Sequence, residues 1–192
     1  MGRKSRDAYE HALGLRETET SAAEAFTAEF PGVTGRSVVI LSEGEPPDRV
    51  MLIDGIETGV ELTAIHAGGA GDIIDELLRL ARQKHVTYER NGIFDKGPVM
   101  LLGNLDWPTP HVEGPALYDV REELAELVLP SDFAGFGFNE IWLMDDGPKY
   151  TSRRDPRAPA DFFCFAPADS IGFWERERKR RPYRDLLVGD LM

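Results

Sequence analysis

Two runs of alternating residues, Arg49 to Asp54 (RVMLID) and Glu57 to Ile65 (ETGVELTAI), lie a few residues apart around Gly55. A connection of one to three residues cannot hold a crossover, so the spacing predicts an antiparallel hairpin. In its second strand Val60, Leu62 and Ala64 alternate with Glu61 and Thr63, the period of a pleated strand. Glu61 therefore sits mid-strand between apolar neighbours. A carboxylate there faces a desolvation cost unless it meets a cation, a proton or hydrogen-bond donors.

The rest of the chain arranges itself around this hairpin. Ser21 to Phe30 carries Ala22, Ala25, Phe26 and Phe30 at helical spacing, a helix that starts near Thr18 and that Pro31-Gly32 is expected to stop. Ser37 to Ser42 reads as a strand, followed by the turn Glu43 to Pro47. After Gly68-Gly69-Ala70-Gly71 a long helix is expected from Asp72 to about Tyr88, with its stripe at Ile73, Ile74, Leu77, Leu80, Ala81 and Tyr88. Pro98 to Gly103 (PVMLLG) is apolar throughout, as a strand covered on both faces would be. Leu117 to Leu127 reads as a helix, Phe138 to Met144 as a strand, Asp161 to Phe165 as an edge strand, and Ile171 to Pro182 as a helix. Alternating strands and helices in this order predict an α/β fold.

Composition bounds what such a fold can do. The 192 residues, 42% of them hydrophobic, suffice for one core, so a single domain over 1–192 is expected. Cys164 is the only cysteine, which excludes an intramolecular disulfide or a cysteine-built zinc site and suits a reducing cytoplasm. No run approaches the roughly 20 apolar residues of a membrane span. A net charge of −12 opposes a large nucleic-acid interface. Locally, however, Arg176, Arg178, Lys179, Arg180, Arg181 and Arg184 make the C-terminal stretch basic.

Asp48 opens the first hairpin strand directly after Pro47. Pairing through the Asp54-Gly55 region brings Asp48 and Glu61 to the same side of the hairpin, near its open end. Two carboxylates suit magnesium, which takes few protein carboxylates and keeps several waters. The alternative is plainer: Asp48 caps a turn and Glu61 faces solvent.

The stretch Glu43 to Ile65, EGEPPDRVMLIDGIETGVELTAI, resembles the core of the PD-(D/E)XK nuclease-like superfamily, in bacterial members with a PPD, DG and GVE-hydrophobic-T pattern. The likeness covers roughly Ser21 to Gly103. It implies a restriction-endonuclease-like αβββαβ core over 18–104, a mixed central sheet flanked by helices. Residues 105–170 would then be additions completing the sheet, and 171–192 a basic C-terminal helix or tail. The resemblance makes Asp48 and Glu61 ligands of Mg2+ or Mn2+, with the Leu62 carbonyl as a third. Thr63 stands where the motif has its lysine, whose charge stabilises the transition state. Lys84, on the apolar stripe of the following helix, is the replacement that this sequence offers. Glu24 would be the accessory acid of the first helix, and His66 an edge residue of the site. Arg178, Lys179, Arg180 and Arg181 would meet nucleic acid.

Two functions follow as expectations. One is a magnesium-dependent phosphodiester hydrolase acting on nucleic acid. The other is non-catalytic, either a degenerate nuclease-like binder or an acidic protein-binding module of immunity or inhibitor type.

Overall fold

The computed structural model describes residues 3–43, 46–66, 69–105, 117–129, 132–145 and 160–166. They form an α/β fold with an open sheet of six strands in the order β1-β2-β3-β4-β5-β6. The strands are β1 (Val38–Glu43), β2 (Arg49–Ile53), β3 (Ile56–Ile65), β4 (Val99–Leu105), β5 (Glu140–Asp145) and β6 (Asp161–Ala166). Strands β1, β2 and β3 are successively antiparallel, β3, β4 and β5 are parallel, and β6 returns antiparallel at the far edge. The sheet is thus mixed.

The β2–β3 turn is the expected one. Ile53 pairs with Ile56 across Asp54 and Gly55, whose φ angles of 52° and 80° are both positive. An Asp-Gly pair accepts that left-handed backbone, and the turn's twist matches the strands. Asp54 also accepts from the Ser37 amide at 2.9 Å and from Arg36 Nε at 2.8 Å. Those bonds tie the turn to the chain entering β1.

Three helices cover the sheet: α1 (Arg3–Thr34) on one face, α2 (Ala70–Arg90) and α3 (Leu117–Leu127) on the other. Strand alternation sorts the two cores. Val60, Leu62, Met100, Leu102, Trp142 and Met144 pack with Phe26 and Phe30 of α1. Ile65, Leu101, Leu105, Ile141 and Leu143 pack with α2 and α3. All seven residues of β4 are buried, as its apolar run predicts. Helix α2 comes close to this strand, since a Cβ at Gly103 would lie 2.9 Å from Ile65 and 3.2 Å from Leu77.

The first helix corrects the sequence reading. It continues through Pro31 and Gly32 to Thr34, because a proline removes one intrahelical bond while Phe30, fully buried against Trp142 and Phe162, holds this last turn on the sheet. Gly35 stops it instead: its φ is 75°, and its amide donates to the Pro31 carbonyl at 2.9 Å. That is the left-handed C-cap. Helix α2 begins at Ala70 and ends at Arg90, a turn's fraction beyond the expected ends. The helix expected over Ile171 to Pro182 lies outside the described residues, as do Arg178, Lys179, Arg180 and Arg181. Among the described residues no helix is long and apolar enough to cross a membrane.

Candidate active site

Glu61 is 2% exposed, so it does not face solvent as the plainer reading expected. Strand alternation puts it on the α2 face with Thr63 and Ile65. Two side chains of α2, one turn apart, reach it: the Lys84 ammonium donates to Oε1 and the Tyr88 hydroxyl to Oε2. The helix stripe explains the meeting. Residues four apart lie over one another on a helix face, so a stripe aimed at the sheet delivers Lys84 and Tyr88 to the same strand position.

Asp48 reaches the same place from β2. The ladder pairs Arg49 with Val60, and one step upstream this register sets Asp48 across from Glu61. Its Oδ2 accepts from the Leu62 amide at 2.8 Å. Pro47 lies against β3, where a Cβ at Gly59 would come within 2.7 Å of its Cγ. A glycine at 59 lets the proline approach, and this approach fixes where Asp48 begins.

The electrostatics follow from the crowding. Burial pushes the Asp48 carboxyl up to about 7, and the neighbouring Glu61 charge adds to the rise; the Leu62 amide and the Lys84 charge pull it back. Glu19 of α1 raises it further. Tyr88 is held above the ordinary phenol range by burial first and by its bond to Glu61 next. Its hydroxyl therefore remains protonated and a donor.

The donor set suits a hard divalent ion. Carboxylate oxygens carry two lone pairs each, so Asp48 and Glu61 keep acceptor capacity beyond their bonds to Leu62, Lys84 and Tyr88. The Leu62 carbonyl leaves β3 on the same side as its amide, the side from which Asp48 approaches. No group of three His, Cys, Asp or Glu side chains comes together among the described residues. Two carboxylates, with a carbonyl and water, would suit magnesium or manganese better than zinc.

Other expected site residues fall elsewhere. Glu24 is exposed on α1; the charge of Glu19, also on α1, reaches Asp48. His66 is exposed just past β3, on the side of Glu76 of α2. Thr63 is half-buried beside Glu61 on the strand face. Tyr88 as a partner of Glu61 was missed, although its place four residues after Lys84 on the stripe was the available signal. Arg79 pairs with Glu76 in solvent, and Trp142 packs edge-on against Phe30 at 5.0 Å. Cys164 is buried, with its thiol donating to the Ala166 carbonyl.

Comparison with protein-family models, with curated proteins and with solved structures found no match to the chain.

Proposed function

We propose that the chain is a divalent-metal-dependent phosphodiester hydrolase of PD-(D/E)XK nuclease type, with a restriction-endonuclease-like core and nucleic acid as its substrate. One observation carries the reading: Asp48 just before β2, Glu61 of β3 and Lys84 of α2 converge on one point. Magnesium or manganese would be held by Asp48, Glu61 and the Leu62 carbonyl, where it would neutralise phosphoryl charge and activate water. Lys84 supplies what Thr63 cannot. Its ammonium, 32% exposed at the side chain, can donate to a non-bridging phosphoryl oxygen as negative charge grows there. Its contact with Glu61 brings this ammonium to the site. The basic residues Arg178, Lys179, Arg180 and Arg181 carry the charge that a phosphate backbone attracts.

A second reading, a degenerate relative that binds a partner without cleaving, draws on the same contacts. Lys84 already gives Glu61 a counter-charge and Tyr88 takes its other oxygen, so the fold needs no ion at this point. An acidic protein-binding module draws on the net charge of −12.

Calorimetry with Mg2+ and Mn2+, followed by cleavage assays on single-stranded and duplex nucleic acid, separates the readings. The hydrolase binds Mn2+, loses binding in Asp48→Ala and Glu61→Ala, and loses cleavage but not metal in Lys84→Ala. Metal binding without cleavage under any condition favours the degenerate binder. Absence of metal binding in the parent overturns both metal-based readings.

A further inference from the structure

We infer that Tyr88 is a positioning residue for Glu61, which its hydroxyl holds in one orientation while Lys84 is left free to move. As a statement about metal binding the inference rests on the reading of Glu61 as a ligand; its geometric part does not.

The two donors on Glu61 differ in kind. Lys84 sits on four rotatable bonds with its side chain 32% exposed, whereas Tyr88 is 1% exposed. The Tyr88 ring is packed with Ile93 and Val99, and its centroid lies 5.6 Å from Phe94 and 6.0 Å from Phe138. Those two rings lock each other edge to face at 5.3 Å. Gly137, at φ 75°, presses onto Phe94 from outside, since a Cβ there would lie 2.8 Å from the ring. Contributions from α2, the turn at Phe94 and the segment before β5 therefore fix one ring, and the ring aims one hydroxyl.

The terminal torsion of a glutamate is broad when nothing restrains it. A single flexible partner such as Lys84 would leave that torsion loose whenever the ammonium turns toward a substrate. Tyr88 cannot leave. By keeping Oε2, it presents Oε1 in the same direction whether or not Lys84 is bound there. Partners that orient a metal ligand in this way are worth about 10- to 100-fold in metal affinity.

The test uses the full chain and Mn2+ alone. Tyr88→Phe keeps the ring and removes the hydroxyl; it is expected to weaken Mn2+ binding by about 10-fold or more, with the near-ultraviolet dichroism of the aromatic cluster unchanged. Unchanged Mn2+ affinity in this variant overturns the inference. If the parent binds no Mn2+, the metal reading fails by itself, and a second measurement decides the inference. Tyr88→Phe should then lower the urea midpoint in the parent and leave it unmoved in Glu61→Leu. Equal shifts in both backgrounds overturn the inference. Should Tyr88→Phe not fold, Phe138→Leu, which loosens the packing of the Tyr88 ring, is expected to weaken Mn2+ binding, and unchanged affinity overturns the inference.

Discussion

At the scale of single residues, the consequential one is Asp48. An isolated aspartate titrates near 3.8, whereas burial beside Glu61 moves this carboxyl to about 7 in the folded chain. Between those values the folded state holds a proton that the unfolded state has lost. Stability contributed by Asp48 is therefore full below about pH 4, falls as pH rises toward 7, and levels off above it. Asp48→Asn keeps an oxygen for the Leu62 amide and removes the charge. Urea midpoints measured from pH 4 to pH 8 should show a flatter profile for this variant and greater stability than the parent at pH 8. A profile identical to the parent's would mean that Asp48 is better solvated than its contacts with Leu62 and Glu61 indicate.

At the scale of elements, the site depends on how closely β2 and β3 approach at their open end. Gly59 sets that distance, because only a residue without a Cβ lets Pro47 settle there. Gly59→Ala is expected to cost about 1–3 kcal/mol by overpacking, and to displace Asp48 from the Leu62 amide. Denaturant midpoints measure the first effect; a weakened Mn2+ response measures the second. Loss of stability with full metal binding would show that Asp48 does not depend on the Pro47 contact. At the far edge of the sheet, the Arg121 guanidinium of α3 donates to Asp161 and to the Phe162 carbonyl of β6. That buried pair anchors α3 to the edge strand, and it lies away from the carboxylates of β2 and β3.

At the scale of the whole molecule, a net charge of −12 works against compactness. Raising the salt from about 10 mM to about 150 mM shortens the screening length from about 30 Å to about 8 Å. The melting temperature should rise over this range. A fall would instead mean that ion pairs such as Arg36 with Asp54 and Glu140 outweigh the general repulsion. The same acidity predicts weak association of the parent with duplex DNA, steeply lost on adding salt. Binding that is strong and indifferent to salt would point away from a phosphate-backbone substrate.

The sequence by itself determined the hairpin, the buried β4, the stripe of α2 and the limits of α3, because each rests on local periodicity or on turn chemistry. It also marked Glu61 as misplaced and set Lys84 on the stripe of α2 that faces the sheet. Tertiary structure alone decided which contacts those residues make. The end of α1 passed from Pro31 to Gly35 because packing of Phe30 outweighs one missing hydrogen bond. Glu19 of α1 came to act on Asp48 because the rotation of α1 against the sheet is set by the core beneath it. Tyr88 met Glu61 because α2 lies across β3 at one height, and no pattern within either segment contains that distance.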